Sequence, residues 1–138
     1  MSVRIDREQY DLMRASAAEG YPHEVVGILA GSRETWSVTE VLPLLNERAD
    51  SPRNRYRVSG LVMMRAEQAI EARGLEVVGY YHSHPDHPAQ YSEYDRDHAL
   101  PNMSYVIVSV QQGKPENTLS WRLLADRSSM DAEDIHVI

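Results

Sequence analysis

The stretch E76-V-V-G-Y-Y-H-S-H-P85 constrains this chain more than any other. Its apolar residues fall on both faces of an extended segment, the pattern of a strand covered on two sides. Such a strand is central, so the rest of the chain must supply neighbours for it and layers against it. Pro85 ends it, because proline holds the preceding residue extended and gives a ladder no donor. His82 and His84 are two apart near that end, so both imidazoles leave the same face. The carboxyl ends of strands are where open α/β sheets commonly hold ligands. Imidazoles beside so apolar a run need local hydrogen bonds or a cation between them.

Around this strand the chain reads as alternating helices and strands. Asp6 with Gln9 has the form of a capping box, and Tyr10, Met13 and Ala17 follow at helical spacing until Gly20 and Pro22. Residues 25–31 form a short apolar run and predict a core strand. Residues 36–45 have strand composition, with Pro43 marking an end, an edge or a bulge. Residues 46–57 are polar and predict a loop. Ser59 caps a second helix that turns Val62, Ala66, Ala69 and Ile70 to one face and stops near Gly74. A short third helix begins around Ser92 and closes before Pro101. Strands are expected at 76–84, 103–111 and 118–126, with a turn at 113–117 and a further strand in the last residues. This is an α/β fold: a curved, mixed sheet of five or six strands with two longer helices and one short one. No repeat or linker interrupts it, so residues 1–138 are expected to form a single domain.

Charge and composition narrow the chemistry. The formal charge of −7 is scattered over the chain and repels phosphate backbones and anionic lipid, so nucleic acid and membrane are not expected partners. No apolar run reaches membrane-spanning length and the first residues are too polar for a signal peptide, so a cytoplasmic protein is expected. There is no cysteine, which removes disulfides, thiolate metal sites and a cysteine nucleophile. A metal here must be held by nitrogen and oxygen.

Two imidazoles are good zinc ligands but too few, since a catalytic zinc has three protein ligands and an open fourth position. Asp86, Asp95 and Asp97 are candidates for the third, with His87 and His98 as rivals. Asp95 is favoured by position, in the first turn of the third helix. Yet Ser92-x-x-Asp95 is also a capping box, and a lone His-x-His is more often a hydrogen-bonded pair than a metal site. Adding His98 would close the site and make it structural. A hydrolase further needs a carboxylate to move protons. Glu24, just before the strand at 25–31, is one such acid, though by position alone it stands no higher than Glu19 or Glu34.

Taken together, H82-S-H84-P85 followed by S92-E-Y-D95, with E24-V-V-G27 upstream, resembles the signature of the JAMM (MPN+) zinc metallopeptidases, and the order of elements is similar along nearly the whole chain. The resemblance implies a JAMM/MPN domain of the cytidine-deaminase-like type. It implies zinc held by His82, His84 and Asp95, with Glu24 as general acid/base and Ser92 donating to an oxyanion. It implies hydrolysis of a peptide or isopeptide bond after the C-terminal glycine of ubiquitin or a ubiquitin-like protein. The chain is too short for the insertions that clamp ubiquitin in eukaryotic members. It is closer to short bacterial members, whose substrates include ubiquitin-like sulfur-carrier proteins with Gly-Gly tails and which often pair as homodimers. Where the family often has proline before the serine this chain has Tyr91, which leaves that loop looser but removes no catalytic atom. Two other readings share the fold or the motif: a catalytically silent MPN scaffold, and a RadC-like domain associated with DNA repair. The intact set of five residues argues against the first, the run HSHPDHP and the acidic charge against the second.

Overall fold

The strand at the centre of the sequence is also the centre of the sheet. The computed structural model describes residues 1–44, 46 and 59–138. Along the chain run β1 (Ser2–Ile5), α1 (Arg7–Gly20), β2 (Val26–Ser32), β3 (Ser37–Leu44), α2 (Gly60–Ala72), β4 (Glu76–Pro85), α3 (Glu93–His98), β5 (Ser104–Gln111), β6 (Lys114–Leu123) and β7 (Met130–Val137). The loop expected at 46–57 lies, apart from Asn46, outside the described residues.

The strands order as β1-β3-β2-β4-β5-β6-β7 and close into a barrel. Closure comes from β1, which pairs in parallel with both β3 and β7. The pair β4–β5 is also parallel, and the remaining pairs are antiparallel. The sheet is therefore mixed, as expected, but has seven strands and no open edge among those described. The strand the sequence reading lacked is β1: Val3 and Ile5 are fully buried while Ser2 and Arg4 point outward, too short an alternation to stand out beside the polar residues that follow.

Two layers cover β4, which is why both of its faces are apolar. On one side Met13 and Ala17 of α1 pack with Leu29, Val78, Tyr81, Val106 and Val108. On the other, Ile70 of α2 packs on Ile28 and Ala30, with Met63 and Ala66 alongside. The inward stripe of α2 is thus Met63, Ala66 and Ile70, an i, i+3, i+7 series, and Ala69 is exposed. The β2–β4 register shifts between Leu29 and Ala30, bulging β4 at Val78, so Val78 and Tyr81 reach the same cluster despite their odd separation.

Local signals were met unevenly. Ser59 caps α2 by accepting from Val62 N, and Gly74 follows its end with φ +75°. Asp6 stands at the start of α1 without a side-chain cap, and the Gln9 side chain does not complete a capping box: its Oε1 accepts from Val41 N at 2.8 Å and fastens α1 to β3. The turn expected at 113–117 is tighter than that: Gln112 and Gly113 take positive φ and Lys114 already belongs to β6.

Candidate metal centre

The chain converges on the end of β4. His82 and His84 project from one face there, as their spacing requires, with His82 almost wholly buried. The loop that follows turns back through Asp86, at φ +58°, and leads into α3. Ser92 opens that helix with a complete capping box: its Oγ accepts from Asp95 N at 3.1 Å, and Asp95 Oδ2 accepts from Ser92 N at 2.9 Å. The box fixes the rotamer of Asp95, and the fixed carboxylate faces the two imidazoles. Capping and site-building are therefore one arrangement here, not rival explanations of one motif.

Three ligand-type side chains meet at this point. His82 Nε2 lies 3.1 Å from Asp95 Oδ1, His84 Nε2 lies 3.2 Å from Asp95 Oδ2, and the two Nε2 atoms are 3.2 Å apart. At zinc–ligand bonds of about 2.0–2.1 Å, the edges of a tetrahedron measure about 3.3–3.4 Å. The spacing already present is within a few tenths of an ångström of that. Two nitrogens aimed at each other at this range are stable only with a proton or a cation between them. His84 Nδ1 faces Pro88 O at 2.9 Å, an N–H to carbonyl contact that leaves the Nε2 lone pair for a ligand. The donor set is two imidazoles and a carboxylate, so the residues present fit a metal ion, and their number leaves a coordination position open.

The same contacts shift proton affinities. Burial pushes the Asp95 carboxyl up, but the charge and hydrogen bond of His82, with hydrogen bonds from His84 and Ser92, outweigh it and hold Asp95 well below the usual carboxylate range. Burial pushes His84 down, and its hydrogen bond and charge contact with Asp95 reverse this, so His84 is raised.

Among the described residues no other candidate joins this group. Asp86 accepts from Tyr21 Oη at 2.7 Å and from Gln112 N at 2.8 Å, which ties the turn to its neighbours. Asp97 pairs with Arg96 at 3.3 Å on the surface. His98 stacks on Tyr94, ring centroids 4.0 Å apart, with Nδ1 against Tyr94 O at 2.8 Å. His87 is exposed, and its carbonyl accepts from Ser109 Oγ at 2.6 Å.

Glu24 is brought in by register, which is why position in the sequence did not single it out. β2 pairs antiparallel with β4 through Val26↔His82 and Gly27↔Tyr81. Continued two residues, that register sets Glu24 opposite His84. Glu24 is only 5% exposed, unlike the exposed Glu34, and shares with His84, Tyr91, Ser92 and Asp95 the lining of an open cleft of about 560 Å³. Gly27 makes the strand approach possible: a Cβ there would lie 2.2 Å from a ring carbon of Tyr81. The loop from Asp86 to Tyr91 is anchored rather than loose. Tyr91 meets the Trp121 ring edge-on at 5.1 Å, and Trp121 Nε1 donates to Ala89 O at 3.0 Å. This aromatic latch is a feature the sequence reading missed, since it joins residues thirty apart.

Comparison with known proteins bears on the family and the fold. The family described as prokaryotic homologs of the JAB domain matches residues 6–124. A desampylase from Haloferax volcanii is 38% identical over 97 residues, 70% of this chain and 69% of that protein. A probable TtuB-protein conjugate cleaving protease from Thermus thermophilus is 39% identical over 94 residues, 68% of this chain but only 61% of that protein. A protein from Desulfitobacterium hafniense, solved in solution, superposes with a TM-score of 0.84 at 29% identity, covering 100% of this chain and 93% of its own. A JAB1/MPN domain protein from Archaeoglobus fulgidus superposes with a TM-score of 0.60 at 18% identity, covering 97% and 99%, a likeness of fold.

Proposed function

Since the chain belongs to the family of prokaryotic homologs of the JAB domain, we propose that it is a zinc-dependent metallopeptidase acting on conjugates of a ubiquitin-like protein. The bond it hydrolyses is the peptide or isopeptide bond after the C-terminal glycine of a sulfur-carrier protein with a Gly-Gly tail. One observation carries this reading: His82, His84 and Asp95 converge, and His84 and Asp95 line a cleft together with the buried Glu24. The names of the two curated relatives, a desampylase and a conjugate cleaving protease, support the substrate class.

In this reading His82, His84 and Asp95 hold the ion, and residues 1–138 act as one domain. Zinc, when bound, supplies Lewis acidity that brings the pKa of water down to about 7 and polarises a carbonyl. Glu24 accepts a proton from the attacking water and returns it to the leaving amine as the C–N bond breaks. Ser92 serves twice. Its oxygen accepts from Asp95 N in the helix cap, and a hydroxyl still has its proton to give, so the O–H donates to the oxyanion that forms on the substrate carbonyl. Tyr91, fixed on Trp121, keeps the cleft wall beside Ser92 in place.

Among the described residues no helix is long and apolar enough to cross a membrane. The reading places the protein in the cytoplasm, with no role for nucleic acid. Metal analysis tests the centre: the wild-type chain binds one zinc, and His84→Ala, left with two ligands, loses most of its affinity. A His84→Ala protein that retains one tightly bound zinc refutes the assignment.

A further inference from the structure

The peptide group joining Glu24 to Val25 is held by side chains at both of its polar ends. Its carbonyl, that of Glu24, accepts from Asn46 Nδ2 at 2.9 Å. Its N–H, that of Val25, donates to Ser83 Oγ at 2.9 Å. Val25 O in turn accepts from Ser83 N at 3.1 Å, so one residue of β4 grips this segment twice. In an antiparallel pair two facing residues exchange both backbone hydrogen bonds. Here only one is exchanged, and a hydroxyl stands where the second carbonyl would be. The segment thereby leaves the ladder just before Glu24, since β2 begins only at Val26. Ser83 is fully buried and lies in the chain between the two imidazole-bearing residues.

We propose that Ser83 and Asn46 are positioning residues, a side-chain clamp on the Glu24–Val25 peptide that sets where the Glu24 carboxylate stands relative to His82, His84 and Asp95. The inference rests on the peptidase reading above. Glu24 precedes the regular strand β2, and a glutamate adds three side-chain torsions of its own. A general base must sit within hydrogen-bond reach of the proton it takes. A displacement of about 1 Å costs on the order of 100-fold in rate. The clamp removes the backbone part of that freedom and ties it to the strand that carries the histidines, so base and ligands move as one body. A clamp of this kind affects turnover, leaving the metal ligands and the outer cleft as they are.

The test uses the full chain loaded with zinc, and as substrate a ubiquitin-like sulfur-carrier protein whose Gly-Gly tail is extended by a reporter peptide. Ser83→Ala and Asn46→Ala should each lower kcat about 10- to 100-fold, with KM and zinc content unchanged. Ser83→Thr keeps the oxygen and should restore most of the rate. Amide exchange at Val25, slow in the wild type, should speed up at least tenfold in Ser83→Ala with no change at Tyr81 or Val106. Asn46→Ala probes the same peptide from its less buried side if Ser83→Ala folds poorly. In a Glu24→Gln background neither substitution should lower kcat further. Wild-type kcat in both alanine variants overturns the clamp, as does a loss that persists in full in the Glu24→Gln background or that tracks loss of zinc. The peptidase reading fails differently, with the zinc-loaded wild type leaving the substrate intact, whereas a Glu24→Gln protein that cleaves at the wild-type rate removes Glu24 as the base and the clamp with it.

Discussion

Gly27 gives the sharpest structural prediction, because the space for a side chain there is already filled. A Cβ would lie 2.2, 2.3 and 2.5 Å from Cε1, Cζ and Oη of Tyr81. Non-bonded carbon atoms settle at about 3.5–4.0 Å, so Gly27→Ala must push the ring by more than about 1 Å. That ring has nowhere to go, since Tyr81 is fully buried among Leu29, Val78 and Val106. Overpacking of this kind costs about 1–3 kcal/mol, occasionally more. The gain from a stiffer unfolded chain, about 0.4–1 kcal/mol, offsets only part of it. A net loss of about 1–2 kcal/mol follows, and for a chain of 138 residues it lowers Tm by roughly 3–8 °C. Thermal unfolding of the zinc-free protein measures it. Tyr81→Leu should cost less in the Gly27→Ala background than in the wild type, because the clash is then relieved. A Gly27→Ala protein melting within 2 °C of wild type (about 0.5 kcal/mol) would refute the reasoning.

Three other perturbations separate fold from chemistry. Glu133 accepts from Ser120 Oγ at 2.7 Å, Arg122 Nε at 2.8 Å and Ser104 Oγ, and Arg122 also lies over the Trp36 ring at 4.2 Å. Glu133→Ala strands these partners and should cost about 2–4 kcal/mol in urea unfolding, with zinc content unchanged. Burial raises Tyr81 to about 12, a shift the neighbouring Ser16 only partly counters. The unfolded chain gives up that phenol proton from about pH 10, so the stabilisation is intact below pH 10 and lost as pH rises towards 12. Tyr81 accounts for about 2–3 kcal/mol of the slope of stability against pH in that window, and Tyr81→Phe should remove that share while leaving the share of Tyr80, which burial also raises to about 12. Ser92→Ala should lower kcat about 100-fold or more and weaken the α3 cap by about 1 kcal/mol; a variant turning over at the wild-type rate would leave Ser92 as a cap alone.

Much of the fold was legible where the signal is local. The doubly apolar run of β4, the caps at Ser59 and Ser92, and the stops at Gly20 and Gly74 all act within a few residues of themselves. The JAMM/MPN resemblance, carried by residues 24–27 and 82–95, agrees with the family match and with the fold of the solved relatives. What escaped the sequence depends on partners far along the chain. Gln9 looked like half of a capping box because Val41, its partner, is 32 residues away. The closure of the barrel depends on β1 lying between β3 and β7, a pairing that four residues do not announce. Lys114–Asn117 read as turn because that end of β6 is largely exposed and carries polar residues. Glu24 differs from the exposed Glu19 and Glu34 by being buried and lining the cleft with His84 and Asp95, which only the folded chain brings about. The inward face of α2 was drawn with Ala69 where Met63 belongs, since an alanine fits either side of such a helix.

The central claim is that one carboxylate moves protons while another holds metal, and a paired comparison of Glu24→Gln with Asp95→Asn tests it most directly. Zinc content and cleavage of a Gly-Gly-tailed carrier extended by a reporter peptide are measured on both proteins. Glu24→Gln keeps the size of the side chain and removes its basic oxygen, so cleavage should fall about 100- to 10,000-fold while one zinc per chain remains. Asp95→Asn should lose zinc and cleavage together, because Asp95 faces both imidazoles at 3.1 and 3.2 Å. A Glu24→Gln protein that cleaves at the wild-type rate, or one that has lost its zinc, would contradict the division of labour between the two acids.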